Sequence, residues 1–133
     1  MTETRYGFQV KLPVPYDQAV EKTTAALKQE GFGVLTSIDV KQTLKAKLDA
    51  DFRKYVILGA CNPPLAHRAI TADPDIGLLL PCNVVVREET DKGITVGFMD
   101  PIAVMKLTDN PGITDIAKDV RARLERVRDQ LKG

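Results

Sequence analysis

Over residues 5–12 the apolar side chains Tyr6, Phe8, Val10 and Leu12 alternate with Gly7, Gln9 and Lys11, the period of a strand with one buried face. Pro13 and Pro15 end that pattern, and Pro15 is suited to the first turn of a helix. From there Tyr16, Ala19, Val20, Thr23 and Leu27 recur at helical spacing, leaving Asp17, Glu21, Lys22 and Lys28 outside. Gly31 closes the helix and Phe32 can pack back on its last turn. A short strand is expected over residues 33–38. Asp39 then serves as an N-cap for a helix carrying Val40, Leu44 and Leu48, although alternation over residues 43–48 also fits a strand; the helix is preferred.

The pattern then changes to runs. Residues 55–60 are almost continuously apolar, as in a central strand. Asn62 caps a helix begun by Pro63 and Pro64, carried by Leu65, Ala66, Ala69 and Ile70, and stopped by Asp73 and Pro74. After Gly77 a second apolar run, Leu78 to Leu80, reads as another buried segment and leads to Pro81-Cys82-Asn83. Strands are expected over residues 83–88 and 94–99, joined as a hairpin by Thr90-Asp91-Lys92-Gly93. Asp100-Pro101 opens a short helix, and Asn110-Pro111 opens the last one. There Ile113, Ile116, Val120, Leu124, Val127 and Leu131 form a single apolar stripe about five turns long.

This order, β-α-β-(α)-β-α-β-β-α, predicts one α+β domain over residues 1–133, with helices on one face of a mostly antiparallel sheet of about five strands. The uncovered face is left for solvent, ligand or a second subunit, and a homodimer is the default partner. The composition, 44% hydrophobic and 28% charged, is that of an ordinary globular protein, and 133 residues can bury a core without metal or disulfide staples. With 19 basic against 18 acidic side chains the formal charge is +1, so neither nucleic acid nor an anionic membrane is indicated. Arg121, Arg123, Arg126 and Arg128 are interleaved with Asp119, Glu125 and Asp129 at helix-pairing distances (Asp119 with Arg123, Glu125 with Arg128), which reads as a salt-bridged face. The opening residues lack a signal-peptide core and no apolar run can span a bilayer, so a cytoplasmic location is expected.

The stretch LGACNPPLAHRAITADPDIGLLLPCNVVV, together with Met99-Asp100-Pro101 and Asp109-Asn110-Pro111, resembles the bacterial and archaeal family known as domain of unknown function 302. The resemblance runs over nearly the whole chain, with Cys61, Asn62, Pro63, Cys82 and Asn83 at the matching positions; His67 is not carried over. It implies a compact α+β fold of the TATA-binding-protein-like class, commonly homodimeric, and it implies no activity.

Both cysteines and the single histidine fall in this stretch. If the strands around residues 60 and 83 are antiparallel neighbours, Cys61 and Cys82 come to one edge of the sheet. Cys61 would also precede a helix N-terminus, which favours a thiolate and a lowered pKa. With His67, and more remotely Met105, the two thiols could form a soft site for zinc, copper or iron, yet a gap of this length without a C-x-x-C is a weak metal signature. Asn62 and Asn83 could face one pocket and bind a small polar ligand, against their simpler roles as cap and turn residues. The competing reading of both thiols is as small buried hydrophobes. Two function classes follow: a noncatalytic binding protein with a small-ligand or soft-metal pocket beside Cys61 and Cys82, or a thiol-dependent redox or sulfur-handling enzyme or carrier using Cys61 as nucleophile and Cys82 as resolving thiol.

Overall fold

The computed structural model describes residues 2–4 and 6–132. Among them the elements run β1 (Thr2–Glu3), β2 (Gly7–Leu12), α1 (Tyr16–Gln29), β3 (Gly33–Asp39), α2 (Val40–Leu48), β4 (Tyr55–Cys61), α3 (Pro63–Ala72), a 3-10 helix (Pro74–Leu79), β5 (Cys82–Glu88), β6 (Ile94–Met99), α4 (Pro101–Met105) and α5 (Pro111–Lys132). Five main strands plus the two-residue β1 form one sheet in the order β1-β2-β6-β5-β4-β3, with every pair antiparallel. The α+β architecture expected from the sequence is present, and so is the β5–β6 hairpin.

Alternation decides which face is covered. Phe8, Val10 and Leu12 of β2, Val56, Leu58 and Ala60 of β4, Cys82, Val84 and Val86 of β5, and Ile94, Val96 and Phe98 of β6 all point to one side and are buried. Over them lie α1, through Ala19, Thr23, Ala26 and Leu27, and α5, through the predicted stripe from Ile113 to Val127. Each such aliphatic side chain contributes about 1.5–3 kcal/mol when fully withdrawn from water, so these two helices hold the sheet's inner face. Arginine stems help. The guanidinium carbons of Arg121 and Arg128 lie 5.1 and 5.4 Å from the centroid of the Phe8 ring, which itself stacks on Phe98 at 5.4 Å. Arg121 also pairs with Asp100 and with Glu125 (2.7 Å), Arg123 with Asp119 (2.8 Å), Arg126 with Glu30 (2.9 Å) and Arg128 with Asp129 (3.0 Å).

Three local expectations are corrected. Tyr6, read as part of the buried alternation, is 77% exposed. A turn precedes β2, in which the Gly7 N–H donates to Thr4 Oγ1 at 3.0 Å, and it places Tyr6 at the bend; Arg5, the expected start of the strand, lies outside the described residues. The Leu78-Leu80 run is not a buried segment. Its 3-10 helix turns every three residues, so Ile76 is buried and Leu79 half-buried while Leu78 is 87% exposed. The helix α2 forms from its Asp39 cap as expected, with Asp39 Oδ1 accepting from the Gln42 N–H at 2.9 Å, but none of its residues is buried.

Candidate functional site

The register of β4 against β5 sets the geometry. Gly59 faces Asn83 and Ala60 faces Cys82 across an antiparallel pair, so the two Cys-Asn dipeptides do come to the same end of the sheet. There β4 passes into α3, and the chain returns through the 3-10 helix and the cis Leu80-Pro81 peptide into β5. Gly59 makes this crossing possible. A Cβ on it would stand 2.1 Å from Thr36 Oγ1 and 2.8 Å from Pro81 Cγ, so only a residue without a side chain lets β3 and Pro81 close over β4.

Beside this crossing is a cleft of about 370 Å³. Its walls come from Phe32, Leu35 and Thr36 at the β3 end, from Leu65, Ala66, Ala69 and Ile70 of α3, from Leu80 and Pro81, and from Ile116 and Val120 of α5. Both Cys61 and Cys82 line it. A smaller lobe of about 60 Å³, the rear lobe, adjoins it and shares Ala69, Leu80, Cys82, Ile116 and Val120 with the main cleft. Leu35, Thr36, Ile70 and Gly77 are exposed and form the rim. The walls are mostly apolar, with a few polar atoms.

Asn62 holds the wall in place. Its Oδ1 accepts the Leu65 N–H at 3.3 Å, the expected cap, and its Nδ2 donates to the Glu30 carbonyl at 3.4 Å. That carbonyl ends α1, where Gly31 takes φ +87° and the Phe32 N–H returns to the Leu27 carbonyl at 2.9 Å. Arg123 Nη1 donates to the same carbonyl at 3.0 Å.

The expected activation of Cys61 by the helix N-terminus is reversed. The first two positions of α3 are Pro63 and Pro64, which have no N–H; the Leu65 N–H is taken by Asn62 Oδ1 and the Ala66 N–H by the Asn62 carbonyl. With the first donors absent or used, burial governs. It raises the Cys61 pKa above the ordinary thiol value, and it pushes Cys82 up to about 11, with the neighbouring Cys61 adding to the rise. Both cysteines are free thiols.

The remaining predicted residues are dispersed. Asn83 is exposed on the opposite sheet face, in a separate groove with Tyr55, Arg87 and Gly97, so the two asparagines do not share a pocket. One-residue alternation along β5 puts it on the other side from Cys82. His67 is exposed on α3 and is not part of the cleft wall, since Leu65, Ala66, Ala69 and Ile70 occupy the facing positions. The Met105 side chain lies outside the described residues. Among the described residues no group of three or more His, Cys, Asp or Glu is placed to hold a metal, and two thiols fall short of the three or four protein ligands of a zinc site. Leu35, Thr36, Ile116 and Val120 carried no functional signal in the sequence, because a cavity wall has the same apolar pattern as a packed core.

An α+β protein with an apolar cleft at one sheet end is thus the class defined by fold and site. The family described as domain of unknown function DUF302 matches residues 8–131, and the chain belongs to that family. It is similar to the crystal structure of an uncharacterized conserved DUF302 protein from Bacillus stearothermophilus, with 31% identity and a TM-score of 0.87 over 96% of this chain and 98% of that one. No curated protein matches the chain. Among the described residues, no helix is long and apolar enough to cross a membrane.

Proposed function

We propose that this protein is a noncatalytic binding protein that takes a small ligand in the cleft beside Cys61 and Cys82. The observation that carries the reading is the cleft itself: about 370 Å³, open at the rim, and walled by side chains from β3, α3 and α5 that could otherwise have collapsed on one another. The raised thiol pKa values favour protonated cysteines that act as soft apolar wall groups. They count against the alternative, a thiol-dependent redox or sulfur-handling role, which needs a thiolate at Cys61.

The test is titration with N-phenyl-1-naphthylamine, a neutral probe that fluoresces in apolar surroundings, for the wild type and for Ala66→Phe. Saturable one-to-one binding that weakens at least tenfold in the variant, with unchanged circular dichroism, is the expected result. Absence of saturable binding to the folded wild type would overturn the reading.

The proposal includes self-association. Among the described residues β3 pairs with β4 alone, and on this edge strand Leu35 is 67% and Ile38 49% exposed. An exposed, proline-free edge of seven residues is a template for another strand, and a second copy can add its own β3 antiparallel about a two-fold axis.

A further inference from the structure

We infer that the ligand is an uncharged, elongated apolar molecule of roughly a dozen non-hydrogen atoms, whose far end enters the small lobe behind Cys82 and whose polar end stays at the Thr36 rim. This deepens the binding role proposed above and rests on it.

Charge is the first argument. No lysine, arginine, aspartate or glutamate lines either lobe, so an ionic group drawn inside would lose its hydration without a partner. The one amide in the wall, Asn62, is engaged at both ends, its oxygen by Leu65 and its nitrogen by Glu30. Apart from the weakly donating thiols of Cys61 and Cys82, Thr36 at the exposed rim is the side chain left to hydrogen-bond a ligand hydroxyl or carbonyl.

Shape is the second. The main cleft of about 370 Å³ corresponds to roughly twelve groups of water size, and the rear lobe of about 60 Å³ to roughly two more. The five residues common to both lobes, Cys82 and Ala69 among them, form the boundary across which the two hollows adjoin. A compact molecule fills only the front; a chain can fill both. Ala117 lines the rear lobe alone, so enlarging it shortens the site without touching the front wall.

The experiment uses the full chain and a series of linear 1-alkanols from hexanol to hexadecanol, with the matching carboxylates, each displacing N-phenyl-1-naphthylamine. Affinity for the alcohols is expected to rise about fourfold per methylene until the rear lobe is full and then to level off. Carboxylates of equal length should bind at least tenfold more weakly. In Ala117→Leu, and to a lesser degree in Ala117→Val, the plateau should come about two carbons earlier with hexanol affinity unchanged; the milder variant guards against misfolding of the larger one. If the probe binds but the alcohols show no length dependence, or the plateau is unmoved in folded Ala117→Leu and Ala117→Val, the inference is overturned while the binding role stands. Carboxylates binding as tightly as alcohols would also overturn it. If neither probe nor alcohol binds, both fall together.

Discussion

Asn62 reaches Glu30 across 32 positions of sequence: its side-chain amide donates to the Glu30 carbonyl at 3.4 Å while its oxygen caps α3 at the Leu65 N–H. One side chain therefore ties the end of α1 to the start of α3, the two helix termini that flank the cleft. The Arg123 guanidinium fixes the same carbonyl from α5. Three helices thus meet at a single backbone oxygen, and the cleft wall is braced from behind.

Removing this brace should be costly in a graded way. Asn62→Ala loses cap and bridge together and is expected to destabilise the fold by about 1–2 kcal/mol. Asn62→Ser retains a cap oxygen but cannot reach Glu30, so about half of that loss is expected. Urea midpoints at constant m-value measure the difference.

Gly59→Ala should be among the most harmful single-methyl additions in the chain. The new Cβ meets Thr36 Oγ1 and Pro81 Cγ within 3 Å; the hydroxyl can rotate away but the proline ring cannot. A loss of about 2 kcal/mol is expected. Thr36→Ala in the same chain should recover only part of it, and a thermodynamic cycle over the two sites reads the coupling.

Gly31→Ala tests the left-handed terminus of α1. At φ +87° an alanine is strained by about 1–2 kcal/mol, and its Cβ would lie 2.8 Å from Asn62 Nδ2. The same substitution in Asn62→Ser should therefore be less costly than in the wild type, which paired urea titrations would show.

Cys82 makes stability fall at alkaline pH. Its pKa is raised from the ordinary 9.0 to about 11, so between these values the native chain keeps a proton that the unfolded chain has released. The stabilisation is complete below about pH 9 and is lost as pH rises toward 11. Tyr16, raised to about 12, acts in the same direction at higher pH, so the comparison must be with Cys82→Val, in which only the cysteine contribution disappears. Unfolding free energies at pH 8 and 10.5 should diverge between wild type and variant by on the order of 2 kcal/mol. A parallel loss in both would show that the buried thiol is not responsible.

The β3 edge makes a prediction about assembly. Edge pairing predicts a dimer of the wild type by light scattering, and Ile38→Lys, which places a charge on the edge strand without touching the cleft wall, should then give a monomer. A wild type that is monomeric at all concentrations would remove the edge-pairing proposal.

What the sequence by itself determined was whatever depends on neighbours along the chain. Proline at residues 63 and 64, the Asp39 and Asn62 caps, the Gly31 stop and the stripe from Ile113 to Val127 each act within a turn or two, and each element formed where those signals placed it. The alternation in β2 and β6 likewise decided which side chains face the helices. The family motif located the candidate site, since both Cys-Asn pairs do sit at one sheet end. Only the tertiary structure decided that a cleft opens there. Whether an apolar side chain packs against another or borders a void depends on distances between elements far apart in sequence, so Leu35, Ile116 and Val120 look alike in either case. The Cys61 pKa departs from the sequence expectation for a related reason: a helix N-terminus attracts negative charge only through its free N–H groups, and here two prolines lack them and Asn62 takes the next two.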